Sequence, residues 1–149
     1  MSVVVHDLTV ATAFFAALGM TITGRALAEG PWVDRVNGMA GVQVDIVMMQ
    51  TPDGHGRLEL TTFRHPPLVE TQPVAAPPNT LGLRNVMFAV ESVDDTVTGL
   101  RAHGADLIGE VVEYKDVAGC VTRAALPASL SCWLKISALS PEAVKSVHV

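Results

Sequence analysis

Val5 recurs as Val90, Leu8 as Val93, Phe15 as Leu100, Gly19 as Gly104 and Gly24 as Gly109, all at one constant offset. A duplication of this kind points to a single pseudo-symmetric body, because each half-sheet needs another element to cover its open face. In the first copy, Asp7 can cap a helix whose apolar positions Leu8, Ala11, Phe15 and Leu18 fall at helical spacing, and Gly19 supplies the left-handed stop. In the second, Ser92 and Asp95 form an S-x-x-D start, Val93, Val97 and Leu100 repeat the spacing, and Gly104 ends it. An apolar strand precedes each helix and a short strand follows it.

Between the copies, Val42 to Gln50 reads as a strand with Val42, Val44, Ile46 and Met48 on one face, and Arg57 to Phe63 as its partner across an Asp53-Gly54 turn. Pro66-Pro67 and Pro77-Pro78 exclude a continuous helix or central strand between His65 and Thr80. The chain is therefore expected to be α+β. Module one runs over about 1–64, a connector over 65–80, module two over about 81–137 and a tail over 138–149, with each module βαβββ and the whole a single domain.

Composition narrows the function classes. The chain has 149 residues, 49% of them hydrophobic and 17% charged, so it can bury a core as one domain and is not disordered. Its longest apolar runs, such as Val10 to Leu18, fall far short of the roughly twenty residues that span a bilayer. Met1-Ser-Val-Val-Val lacks the basic front of a signal peptide, so a soluble, cytoplasmic protein with no membrane partner is expected. Ten basic against fifteen acidic residues give a formal charge of −5 without a basic stripe, which excludes nucleic acid. Cys120 and Cys132 form neither a CxxC pair nor a zinc knuckle and read as plain buried thiols of a reducing compartment.

Val3-Val-Val-His-Asp-Leu8 leading into Phe14-Phe15-Ala-Ala-Leu-Gly-Met20, a hairpin ending in Arg57-Leu-Glu-Leu60, and Val86-Met-Phe-Ala-Val90 before the second helix together resemble the vicinal oxygen chelate superfamily. That superfamily includes glyoxalase I, extradiol dioxygenases, methylmalonyl-CoA epimerase and bleomycin-resistance proteins. The resemblance covers roughly residues 1 to 116. It implies sheets curled into a cup around one divalent ion (Zn, Ni, Mn or Fe) held by His, Glu, His and Glu, with open positions for two adjacent substrate oxygens. As a Lewis acid, the ion stabilises an oxyanion forming next to a carbonyl.

The second ligand of that pattern falls on Glu59, with Leu58 and Leu60 on the opposite face and Arg57 and Thr61 beside it in the cup. The third, usually His, falls on Asn85, a poor substitute for imidazole. The first, counted back from Asp7, lands one position ahead of Met1. The fourth follows an Arg-Gly-Pro-x-Gly-Ile type of turn, where this chain has Arg123-Ala-Ala-Leu-Pro-Ala-Ser129. One synonymous coding of that stretch, read two bases later, spells Arg-Gly-Pro-Ala-Gly-Ile, and a frameshifted C-terminus from about Gly119 is expected on that ground.

In the altered tail, Leu130, Cys132, Leu134 and Ile136 alternate with Ser131, Trp133, Lys135 and Ser137, the pattern of a half-buried strand. Lys135 or Ser137 would then lie where relatives place their last carboxylate, and Ser140-Pro141 would open a short terminal helix. Trp32, Asp34 and Arg35 are substrate-pocket candidates, with Arg35 suited to a carboxylate, although a surface loop pinned by one aromatic accounts for them equally. Arg57 and His55 complete the substrate candidates, His55 also being accounted for as part of a polar hairpin tip. His103 suits a helix end, and His6 and His65 have no paired base by spacing.

Three functions stay open. One is a glyoxalase- or dioxygenase-like metalloenzyme, a lyase or isomerase if not a dioxygenase, acting on a small oxygenated molecule with an incomplete metal site. Another is a metal-free, drug-sequestering binder of the bleomycin-resistance kind, which the low charge and Met48, Met49, Met87 and Phe88 near the cup strands suit. The third is a degraded paralogue. A homodimer is expected, since family members commonly complete the cup from paired modules or across a dimer.

Overall fold

The structure, a computed structural model, describes residues 1–70, 77, 79–81, 85–107, 109–114, 119–125 and 133–137. Contacts divide the chain into two compact units, Met1–Val74 and Ala75–Val149. The expected helix and strands of module one are present: β1 (Ser2–Val4), α1 (Leu8–Ala17), β2 (Thr21–Glu29), β3 (Gln43–Gln50) and β4 (Arg57–His65), with a short α2 (Pro31–Asn37) inserted after β2. Asp7 caps α1 by accepting from the Thr9 and Val10 amides at 2.7 and 3.0 Å, and Gly19 takes the positive φ of +86° that ends it. The sheet order is β1-β4-β3-β2, with β1 parallel to β4 and the other pairs antiparallel.

Alternation along β3 and β4 divides the sheet into two faces. Val47, Met49, Leu58 and Leu60 are buried on the face against which α1 packs, where Ala11, Phe14 and Phe15 are also buried. Phe14 and Phe15 meet edge to face at 5.3 Å. The other face carries Val44, Ile46 and Met48 of β3 opposite Phe63, Thr61 and Glu59 of β4. At one end of it α2 delivers Val33 into a cluster with Val42, Val44 and Phe63.

Helix α2 is an element the sequence reading did not separate from a loop. Pro31 stands in its first turn and Gly38 closes it in the left-handed region. Asp34 then ties the following chain back, accepting from the amides of Gly41 at 2.9 Å and Val42 at 2.7 Å. These two donors hold the Asp34 carboxyl below its ordinary value of 3.8.

Module two repeats the plan: β5 (Asn85–Ala89), α3 (Val93–Arg101), β6 (Asp106–Leu107), β7 (Val112–Tyr114), β8 (Gly119–Ala125) and β9 (Trp133–Ser137). Its order is β5-β9-β8-β6, with β7 also on β8, and β5 is again parallel to the last strand. Ser92 caps α3 and Gly104 ends its turn at φ +78°. Where β2 carries a bulge between Ile22 and Gly24, module two breaks its edge strand into β6 and β7. The last strand expected from the tail is present as β9, with Ile136 fully buried. The expected terminal helix at Ser140-Pro141, the part of the tail strand from Leu130 to Cys132, and the side chains of Cys120 and Leu134 lie outside the described residues. No helix among the described residues is long and apolar enough to cross a membrane.

Candidate functional site

Glu59 sits in the middle of β4, opposite Met48 on β3 and Ser2 on β1. It is half-buried on the face away from α1, while its neighbours Leu58 and Leu60 are 2% and 0% exposed on the other. Its carboxylate is anchored: Ser2 Oγ donates to Oε1 at 2.8 Å. Arg57, exposed, and Thr61, buried, flank it on the same strand face, opposite Gln50 and Ile46. Gly24 pairs with Met48 at the far side of this row and leaves open space where a side chain would stand. The face is therefore a carboxylate and a hydroxyl above an apolar floor of Met48 and Ile46.

The register of module two maps the same positions onto its own sheet. Ser2 pairs with Glu59, Val3 with Leu60 and Val4 with Thr61; Met87 pairs with Lys135, Phe88 with Ile136 and Ala89 with Ser137. Ser2 and Met87 stand at the offset that relates the two copies, so Lys135 is the counterpart of Glu59. Leu60 and Ile136, both fully buried, fix the correspondence. Asn85 opens β5 opposite Trp133, two positions from the Met87–Lys135 pair.

The remaining candidates are less tied to this face. Trp32 is 58% exposed on α2 and Arg35 is exposed on the same helix. His55 lies in the hairpin tip, where its amide donates to Asp53 at 3.1 Å and Thr51 closes the loop by accepting from the Gly56 amide at 2.8 Å. The bond from the Thr51 hydroxyl and that from the His55 amide hold the Asp53 carboxyl below its ordinary value. His6 departs from the expectation that it lacks a partner, since Nε2 meets Glu70 at 2.9 Å on the surface; the partner comes from beyond the proline pair, where sequence spacing says nothing about proximity. Two open hollows on module one, of about 240 and 420 Å³, do not include Glu59. The larger is bordered by Arg64, whose guanidinium donates twice to Asp45 and is raised above its ordinary pKa by that pair.

The ligand set implied by the resemblance does not fit this chain. The resemblance puts Glu59, an oxygen donor, at one ligand position and Asn85 at another that is usually His, and the register makes Lys135, a residue type whose ammonium has no lone pair, the counterpart of Glu59. Among the described residues, no group of three or more His, Cys, Asp or Glu comes together in a way that could hold a metal ion.

Neither a protein-family model nor a curated protein matches the sequence. Solved structures do. A glyoxalase family protein from Bacillus cereus aligns at 39% identity with a TM-score of 0.85, over 93% of this chain and 91% of that one. A trypanothione-dependent glyoxalase I from Leishmania major shares the fold at 16% identity and a TM-score of 0.61, over 97% and 86% of the two chains. A glyoxalase/dioxygenase from Nostoc punctiforme does so at 16% identity and 0.56, over 94% and 88%. With two βαβββ modules in one register and 39% identity along nearly the whole length of the Bacillus cereus protein, this chain belongs to the glyoxalase family of the vicinal oxygen chelate superfamily.

Proposed function

We propose that this protein binds a small oxygenated organic molecule directly on the side chains of its cup, without a divalent ion held by the family's ligand set. The observation that carries the reading is the equivalence of Glu59 and Lys135 in an otherwise conserved register. The family's ligand set, as the resemblance implies it, calls for anionic or neutral donors, and a lysine at the module-two counterpart of Glu59 brings an ammonium without a lone pair. The same ammonium is a suitable partner for a carbonyl or carboxylate oxygen of an organic ligand. Glu59, anchored by Ser2 and half-exposed, keeps a second oxygen to accept from a ligand hydroxyl or amine.

Elemental analysis of protein purified without chelator tests this. Zn, Ni, Mn and Fe should each be found well below one equivalent. Thermal-shift screens should respond to small oxygenated acids and not to those ions, since a ligand at a hundred times its Kd adds about 2.7 kcal/mol of stability. A stoichiometric metal that is lost on Glu59→Gln would overturn the reading.

A further inference from the structure

Strand β2 keeps one open edge. It pairs with β3 on one side, and no strand among the described residues pairs with the other. Only Gly24 and Ala28 of β2 are half-buried; its other residues are exposed, Leu27 at 46%. A long open edge carrying an apolar residue is a template for another strand unless proline, lysine or a bulge blunts it. β2 has no proline or lysine, and its bulge lies between Ile22 and Gly24, so residues 25–29 run regularly against residues 43–47 of β3. Alternation puts Arg25, Leu27 and Glu29 on the face of Val47, toward α1, and Ala26 and Ala28 on the face of Ile46 and Val44. Arg25 has no ion pair among the described residues, because Asp45, opposite Leu27 on the same face, is engaged by Arg64. Glu29 accepts from Gln43 Nε2 through Oε2 at 3.0 Å, which leaves Oε1 to accept a further bond.

We propose that β2 docks on β2 of a second copy of this chain, antiparallel about a two-fold axis at Leu27, so that each Arg25 meets the partner's Glu29. Directly opposed residues of an antiparallel pair share one face, so a two-fold between identical strands has to pass through a residue. An axis at Gly24 or Ala26 sets Arg25 against the partner's Thr23 or the partner's Leu27, and an axis at Arg25 opposes the two arginines. An axis at Ala28 carries Arg25 past the strand end, against the partner's Pro31. At Leu27 the two leucines meet, Arg25 faces the partner's Glu29 on both sides of them, and Ala26 faces the partner's Ala28 on the other side of the sheet. Of these registers only the last pairs opposite charges, which stabilise a cross-strand pair where like charges destabilise it. The docking also gives the backbone groups of the open edge their partners.

The test is sedimentation equilibrium of the whole chain between about 1 and 100 µM, at low and high salt. It is run on wild type, Arg25→Glu, Glu29→Arg, the double variant that carries both reversals, and Leu27→Lys. Wild type should dimerise reversibly, and more weakly at high salt. Each single reversal turns two attractive pairs into two repulsive ones and should raise the dimer Kd at least about tenfold. The double variant restores opposite charges and should return to within about threefold of wild type, which also shows that the single variants fail through charge and not through folding. Leu27→Lys puts two ammonium groups at the axis and should be monomeric. A monomer across the whole series would overturn the docking, and so would a dimer that Arg25→Glu and Leu27→Lys leave intact. A double variant as weak as the single ones would overturn the register at Leu27.

Discussion

Leu60→Ala and Glu59→Gln, adjacent changes on one strand, should differ several-fold in cost. Leu60 is fully buried, between Val3 of β1 and Val47 of β3 on the face covered by α1. Truncation removes Cγ and both Cδ atoms, about 2.4 kcal/mol at roughly 0.8 kcal/mol per buried carbon, and the cavity left behind brings the expected loss to about 3 kcal/mol. Unfolding entropy near 2.1 cal/mol/K per residue converts this into a fall in Tm of about 10 °C if all 149 residues unfold together. The fall becomes about 20 °C if Met1–Val74 unfolds as its own unit. Glu59→Gln keeps the shape of a half-exposed side chain and an oxygen that can accept from Ser2, so it should cost under about 0.5 kcal/mol. Circular-dichroism melts and urea titrations of both variants decide it. Equal losses, or a Leu60→Ala loss below about 1 kcal/mol, would refute the assignment of Leu60 to the core and Glu59 to the cup.

Thr12 is buried on α1 with a hydroxyl that has no hydrogen-bond partner among the described residues, so Thr12→Val should raise stability by about 1 kcal/mol in a urea titration; a loss would show that the hydroxyl is satisfied in solution. The depressed carboxyl of Asp34 contributes stability that is present above its ordinary value of 3.8 and disappears as pH falls through the lower folded value. Asp34→Asn should therefore flatten the acid limb of a stability-against-pH curve, and an unchanged limb would remove Asp34 from the account. Asp7→Ala takes away the acceptor for two α1 amides and should cost about 1 kcal/mol, read by the same melts; a neutral effect would mean that α1 does not depend on its cap.

The modules were legible in the sequence because their signals are local. Asp7 and Ser92 cap, Gly19 and Gly104 stop, and Leu58 and Leu60 alternate with Glu59, each within one turn or strand of its effect. Helix α2 was not legible, since Pro31–Asn37 is too short for a period to show and buries only Val33. Glu59 could be assigned to its face from β4 alone. The register pairing of Arg123 with Lys135 could not be read from either strand alone, because a cross-strand partner depends on the length and path of the connection between two strands, and a slip of one residue moves every side chain to the other face.

The strand order β1-β4-β3-β2 also dictates when the cup face can exist during synthesis. Strands β2, β3 and β4 are consecutive and antiparallel, so they can pair as they leave the ribosome. Strand β1, the first made, has its parallel partner only after β4 has emerged, and the hydroxyl of Ser2 reaches Glu59 across a separation of 57 residues. Module two repeats this delay between β5 and β9. The anchor of Glu59 is thus among the last contacts of its module to form, and a chain released early displays that carboxylate on an unfinished edge.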